Sequence, residues 1–401
     1  PQRIPREIVR DIPHREAAYY LNGLMSETPS AFIATLAPQS PEYARLMKSK
    51  MRLEHVIAHG GWGATVPERK LEPGNTGPAV VALRDRLIAM GYLAPTVTAR
   101  YDAAITDAVR RVQEMHGLAV DGVAGASTIA QLNVSPQDRL KSVIVAMERE
   151  RWINKPGGLG DRHILVNLTD FKARIFDHGK QTFETRSVIG HQDLDRQTPE
   201  FSDVMDHMVI NPSWFVPRSI IIREYLPRLR QNPNAVSHLE ITDNRGRVVS
   251  RNRSFAGYTD RSFPFAMRQP PGPRNALGTV KFMFPNKYNI YLHDTPAKNL
   301  FSREVRTFSH GCVRLNDPHD FAYALLAMQT DDPVSFFQRH LRSRSETRVN
   351  LDQPVPVHLI YRTAFTTPRG HVQFRRDIYD RDRGIWNALS AAGVEIGGIR
   401  S

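Results

Sequence analysis

One thiol serves the whole chain. Cys312 is the single cysteine among 401 residues, in Phe308-Ser309-His310-Gly311-Cys312-Val313-Arg314-Leu315, nineteen residues after the histidine of Leu292-His293-Asp294-Thr295-Pro296. A thiol attacks as thiolate, and at its ordinary pKa of about 8.5 little of it is ionised at neutral pH, so a nucleophilic cysteine needs a base or a cation beside it. His293 can supply the base. In Asn289-Ile290-Tyr291-Leu292-His293, extended backbone puts Tyr291 and His293 on one face and Ile290 and Leu292 on the other, so the apolar pair is expected in a core and the other pair at a site. An imidazole works as base only when a third partner fixes its tautomer, and a backbone carbonyl and Asp294 are both available. Gly311 lets the backbone pass close to a bound carbonyl, and the N–H groups of His310, Gly311 and Cys312 form a candidate oxyanion hole. Arg314 points the same way as Cys312 if the chain is extended there, which suits a substrate carboxylate. With one cysteine and no HExxH pattern a zinc site has little support, and no cofactor is expected. A papain-like arrangement places the nucleophile before the histidine, the reverse of the order here.

These residues need elements to hold them. From about Arg6 to Trp62 the pattern is helical, with Leu46, Met47, Met51, Val56 and Ile57 on one face and Gly60-Gly61 at the end. After the turn-rich Leu71 to Gly77, Val80, Leu83 and Leu87 mark one helix and Ile105, Val109 and Val112 another. Ser135-Pro136 starts a further helix, with Leu140, Val143, Ile144 and Met147 buried, which is expected to return to the first layer before the glycines 157 to 160. Beyond that point the period alternates: His163 to Leu168, Phe171 to Phe176, Thr182 to Ile189, Val204 to Ile210, Val280 to Phe284 and Asn289 to His293 read as strands. The long connection from Pro212 to Leu277 carries a helix-like Pro217 to Leu229 and a hairpin-like Leu239 to Val249, and so long a connection reads as a lid or clamp. Pro318 to Met328 is a helix; Val355 to Tyr361 and His371 to Phe374 are strand-like with undecided sheet membership, before a short helix around Ile385 to Ala392.

Ser309-His310-Gly311-Cys312-Val313-Arg314-Leu315, with His293 upstream, resembles the signature of the L,D-transpeptidase catalytic domain, the YkuD-like family. Residues 73 to 134, with His116-Gly117-Leu118-Ala119-Val120-Asp121-Gly122-Val123-Ala124-Gly125 followed by Thr128, Ile129 and Leu132, resemble the three-helix peptidoglycan-binding-like module, for which a helical spacer is the plain alternative. The resemblance implies an α+β fold: a mostly-β catalytic domain over 157–345, a lid insertion over 213–275, a helical scaffold over 1–72 joined by the return helix 135–156, the helical module over 73–134, and a C-terminal hairpin and helix over 346–401. It also implies roles: Cys312 as nucleophile, His293 as proton donor and acceptor, and His310, Gly311 and Arg314 as the oxyanion and substrate loop. Tyr291, Trp214, Asp294 and Ser309 are candidates for the substrate pocket, Trp214 equally a hinge-packing aromatic. The implied reaction joins a donor stem tetrapeptide of peptidoglycan to an acceptor amine through a thioester, releasing D-alanine and forming a 3-3 cross-link, with carbapenem β-lactams as covalent inhibitors. Hydrolysis of the same acyl-enzyme, attachment of a wall protein through it, and a non-catalytic wall-binding protein are the alternatives.

Composition sets the outer bounds. Lys and Arg number 54 against 41 Asp and Glu, a net charge of +13, with 41% hydrophobic and 24% charged residues. A chain of this length exceeds one ordinary core, so several domains are expected. The positive charge suits a polyanion such as an acidic wall polymer. The arginines are dispersed without interleaved aromatics, which argues against nucleic acid. No apolar stretch is long enough to span a bilayer, so an integral membrane protein is not expected. The resemblance implies a periplasmic or cell-envelope location, with an export signal or anchor outside residues 1–401.

Overall fold

Helical spacing gives way to alternation near residue 160, and the architecture changes there with it. The computed structural model describes residues 8–10, 15–67, 70–153 and 158–396. The first helices are α1 (Ala17–Leu24), α2 (Pro29–Leu36) and α3 (Pro41–Ala58), and Ser40 caps α3 by accepting the Tyr43 N–H. The expected single helical stretch from Arg6 is thus divided. Arg6 itself lies outside the described residues, Ile8 bridges Glu200 in an extended conformation, and α1 and α2 bury no side chain.

Helices α4 (Pro78–Ala89), α5 (Ala103–Met115) and α6 (Ala126–Leu132) enclose Val80, Leu83, Leu87, Ile105, Val109 and Val112, the positions whose spacing predicts them. Helix α7 (Pro136–Ile153) then runs back onto α3, joining Tyr43, Leu46 and Leu53 to Leu140, Val143 and Met147. Ser135 Oγ accepts the Asp138 N–H at 3.1 Å, satisfying one of the free donors of the first turn. Of the glycines expected to close this helix, Gly157 lies outside the described residues.

The second half is a closed sheet. Strands β1 (Arg162–Asn167), β2 (Lys172–Asp177), β3 (Lys180–Gly190) and β4 (Phe201–Ile210) come first. An insertion follows, with β5 (Trp214–Phe215), α8 (Arg218–Ile220), a π-helical turn at Ile221–Tyr225, α9 (Leu226–Gln231), β6 (Glu240–Thr242) and β7 (Ala266–Gln269). The chain returns through β8 (Val280–Met283), β9 (Leu292–His293), β10 (Thr307–Ser309) and β11 (Val313–Leu315). Helices α10 (Pro318–Leu326) and α11 (Pro333–Arg342), strands β12 (Thr347–Ile360), β13 (Ala364–Thr366) and β14 (Val372–Phe374), and helix α12 (Arg381–Ala391) complete it.

Nine strands pair in the order β10-β3-β11-β9-β8-β4-β12-β1-β2, and β2 also pairs with β3, which closes the sheet on itself and leaves few free edges. Its interior holds Ile164, Val166, Met208, Phe282, Leu292 and Leu315. The sheet membership left open by the sequence is settled for β12, which sits between β4 and β1 with a bulge between Asn350 and Val355. The insertion has its own three-stranded sheet, β5-β7-β6, and its own core around Leu226, Leu229, Ile241, Phe255 and Phe263. Both its ends meet at one point, where Asn275 Nδ2 donates to the Pro212 carbonyl at 3.0 Å.

Candidate active site

Two short neighbouring strands bring the chemistry together. β9 and β11 run parallel with Val313 beside Leu292 and Arg314 beside His293, so the segments carrying the thiol and the imidazole lie side by side. Val313 and Leu315 are fully buried in the core, which turns Cys312 and Arg314 to the other face, as alternation predicts. Leu292 is likewise in the core, while the rings of Tyr291 and His293 meet edge to face at 5.6 Å.

His293 Nδ1 lies 2.5 Å from the Asp294 carbonyl oxygen. A carbonyl only accepts, so Nδ1 carries the proton and Nε2 presents its lone pair. The third partner is therefore the backbone carbonyl, and the Asp294 carboxylate has another task. It accepts from the Thr295 N–H at 2.7 Å, the Thr279 N–H at 2.9 Å, Thr279 Oγ1 at 2.8 Å and Lys298 Nζ at 2.8 Å, anchoring the turn that orients the ring. Gly278, at φ +61, makes room for it: a Cβ there would sit 2.3 Å from Asp294 Oδ2.

Burial first, and Arg314 second, push the imidazole down to about 3, so the ring is neutral across the ordinary pH range. Burial also pushes the Cys312 thiol up to about 11, against the opposing pull of Tyr291, Arg314 and Lys281. The thiol donates weakly to the Asn289 carbonyl at 3.6 Å. The resting pair is thus thiol and imidazole, not thiolate and imidazolium. His293 Nε2 has no hydrogen-bond partner among the described residues, so its lone pair is open to accept a proton.

The glycine of the motif plays a different part from the expected one. The Gly311 N–H is already bonded to Ser309 Oγ at 3.1 Å, so it is not an oxyanion donor; the N–H groups of His310 and Cys312 make no hydrogen bond among the described residues and remain available. What requires glycine is the backbone, at φ +116, with Ile290 Cδ1 3.0 Å from where a Cβ would stand. Its carbonyl accepts from Thr198 Oγ1 at 2.7 Å, and Ser309 Oγ donates to the Cys312 carbonyl at 2.5 Å. Ser309 is buried and serves as a brace inside the loop, not as pocket lining.

Two cations and a carboxylate complete the site. Arg314 has no ion pair among the described residues, and its buried Nε has no hydrogen-bond partner. Lys281 on β8 lies opposite His293, with Nζ 6.0 Å from the Tyr291 ring centre; burial lowers its pKa, and Glu346 and the thiol act in the other sense. His310 Nε2 donates to Glu224 of the insertion at 2.5 Å, Arg196 stands 3.8 Å from the same carboxylate, and Arg223 pairs with Asp195. Trp214 is half-buried and packs against the cores of both the closed sheet and the insertion, which fits the hinge role. Lys281, Gly278, Asn289 and Glu224 were not among the residues picked out from sequence. Lys281 left one signal, as the charged residue in the otherwise apolar Val280-Lys281-Phe282-Met283.

Parts of the chain are similar to known proteins. Residues 161–335 match the family described as the L,D-transpeptidase catalytic domain, YkuD, and residues 76–132 that described as a "putative peptidoglycan binding domain". A "putative L,D-transpeptidase" of Haemophilus influenzae is 33% identical over 224 residues, which span 55% of this chain and 45% of that protein. The chain thus matches about half the length of that relative. Among solved structures, the L,D-transpeptidase (residues 123–326) from Xylanimonas cellulosilytica is 14% identical over 73% of this chain and 98% of its own, with a TM-score of 0.24. The L,D-transpeptidase (Yku) from Stackebrandtia nassauensis is 13% identical over 74% and 97%, with a TM-score of 0.26. Within an α+β architecture, residues 161–335 are thus similar to YkuD-type L,D-transpeptidase catalytic domains and residues 76–132 to peptidoglycan binding domains.

Proposed function

We propose that the protein forms 3-3 cross-links in peptidoglycan through a thioester on Cys312. In this reading His293 Nε2 takes the Cys312 proton as sulfur attacks the carbonyl of the L-centre of diaminopimelate in a donor tetrapeptide. The oxyanion is held by the free N–H groups of the 310–312 loop. As the tetrahedral intermediate collapses, His293 returns the proton to the departing amine of D-alanine, leaving an acyl-enzyme. An acceptor amine, the side-chain amine of diaminopimelate on a neighbouring stem, then attacks the thioester; His293 takes its proton and delivers it to the sulfur. Arg314, a cation with no ion pair among the described residues, grips a donor carboxylate, and the insertion acts as a lid latched through Glu224 and His310.

The observation that carries the proposal is the fixed tautomer of His293, with Nδ1 on the Asp294 carbonyl, at the strand register that sets it beside the Cys312 segment. The matched catalytic and wall-binding domains support a wall polymer as substrate and the cell envelope as the place of work. Incubation of the protein with purified tetrapeptide stems tests it: a cross-linked dimer is expected from the wild type and none from Cys312→Ala, by mass spectrometry. Tripeptide alone would make the enzyme a hydrolase, and product from Cys312→Ala would remove the mechanism. A carbapenem is expected to add covalently to Cys312, read as a mass shift of the intact protein that Cys312→Ala abolishes.

A further inference from the structure

A cavity of about 660 Å³, apart from the Cys312 site, opens where α3, the ends of α4 and α5, α7, and the β13–β14 hairpin meet. Its charge is of one sign. Lys48 and Arg52 reach it from α3, Arg111 from α5 and Arg139 from α7, and none of the described residues lining it is an Asp or Glu. Lys48 and Arg52 are exposed and have neither an ion pair nor a hydrogen bond among the described residues. Arg111 donates to the Tyr92 carbonyl at 2.6 Å, and Arg139 to the Gln131 carbonyl at 2.8 Å and to its side-chain oxygen at 3.0 Å.

The wall between these cations is aromatic: Trp62, Tyr92 and Phe374, with the Arg139 guanidinium 4.5 Å from the Phe374 ring centre. His116 is 2% exposed and stacks on Phe374 at 5.9 Å. Its Nδ1 is bonded to the Val112 carbonyl at 2.8 Å, which makes Nε2 an acceptor, and that buried atom has no hydrogen-bond partner among the described residues. The buried Nε of Arg139 is likewise unpartnered. Buried polar atoms are rarely left so, and two lie in residues lining one cavity.

The ligand these features describe carries carboxylates for the cations and a flat apolar face for the rings. An N-acetylated sugar bearing a short acidic peptide has both. We propose that this junction is a second binding site for such an anionic glycopeptide, holding the wall strand away from the catalytic loop; the choice of glycopeptide rests on the function proposed above. Because the cavity is bounded by both the helical unit and the C-terminal hairpin, binding there also braces the two against each other.

The test uses the full chain carrying Cys312→Ala and a disaccharide-tetrapeptide muropeptide bearing a photoreactive diazirine, with cross-linked peptides mapped by mass spectrometry. Labelling is expected in segments 48–56 and 370–374, falling roughly tenfold or more in Lys48→Glu/Arg52→Glu and with a probe whose carboxylates are amidated. A neutral chitooligosaccharide probe is expected to label these segments no better than the amidated one. Labelling of loop 308–315 in the same sample reports the catalytic site separately, so failure of either reading is visible without the other. Absence of label at 48–56 and 370–374, or label indifferent to both charge reversal and amidation, would overturn the proposal. The amidated probe needs no substitution, so a folding defect in the double variant does not blunt the test.

Discussion

At the scale of residues, reactivity turns on a neutral pair. Cys312 is pushed up to about 11 and His293 down to about 3, so at pH 7 neither is charged, and in the proposed reaction the proton moves only as sulfur attacks. Alkylation of Cys312 by iodoacetamide is therefore expected to be slow at pH 6 to 7 and to rise about tenfold per pH unit towards pH 10. A pH-independent plateau below pH 7, read by intact mass against time, would mean a thiolate–imidazolium pair instead. Gly278 carries a second prediction. In Gly278→Ala the new Cβ meets the Asp294 carboxylate, at a φ of +61 that disfavours a side chain, so the turn fixing His293 must shift. Acylation is expected to slow by at least tenfold with a loss of about 2 kcal/mol in stability. Gly272→Ala, where nothing lies within 4 Å, serves as the control and is expected to leave both near wild type. Cys312, His293, Tyr291 and Arg314 were legible in the sequence because neighbours in one strand determine their faces. Gly278 and Lys281 were not, since their relation to His293 depends on how β8 pairs with β9, a register no local pattern states.

At the scale of elements, the insertion behaves as a unit. Its core is its own, and its two ends are tied by Asn275 and Pro212. Replacing residues 213–275 by a short glycine-serine linker is thus expected to leave the closed sheet folded, with a melting temperature within a few degrees of wild type. Turnover of stem peptides is expected to fall by at least tenfold, because the Glu224–His310 contact between the insertion and loop 308–315 is lost. Full activity in the excised protein would make the insertion dispensable to catalysis, and collapse of the sheet would make it structural. The helix expected over Pro217 to Leu229 illustrates how far local pattern reaches. Helicity is there, but Pro227 lacks the N–H that would bond to the Arg223 carbonyl, and the segment widens into a π-helical turn at Ile221–Tyr225. That turn carries both Arg223 and Glu224, the contacts to Asp195 and His310. Strand β12 was harder to place because its partners, β4 and β1, are both more than a hundred residues away.

At the scale of the molecule, helical half and closed sheet are joined by buried charge. Arg149 of α7 donates to Glu200 at 2.5 Å and to Asp382 of α12 at 3.1 Å, while Arg381 reaches Glu200 at 3.2 Å. Such a network is costly to leave half-made, so it ties the units together more than it adds net stability. Stability against pH is governed elsewhere, by histidines held neutral. His116 at the junction and His293 at the site are pushed down to about 3, and His358 in β12 to about 4, in each case chiefly by burial. Each folded value lies below the unfolded one of 6.5, so the unfolded chain binds the extra protons and stability falls as pH drops through 6.5. At pH 5 the ceiling is about 2 kcal/mol per histidine. Asp382, pushed up to about 6 by burial, runs the other way between pH 4 and 6 and offsets part of this. At the alkaline end, Cys312 is raised above its unfolded value of 9.0, so its thiol favours folding at neutral pH and that contribution is lost as pH rises beyond 9. The melting temperature is therefore expected to peak between about pH 7 and 9 and to fall by several degrees on going to pH 5. His358→Gln, which removes one of these buried imidazoles, is expected to flatten the acid limb even if it lowers the maximum. Thermal scans showing equal or greater stability at pH 5 than at pH 7 would mean that these rings accept protons in the folded protein, and with that the neutral base at His293 would also fall.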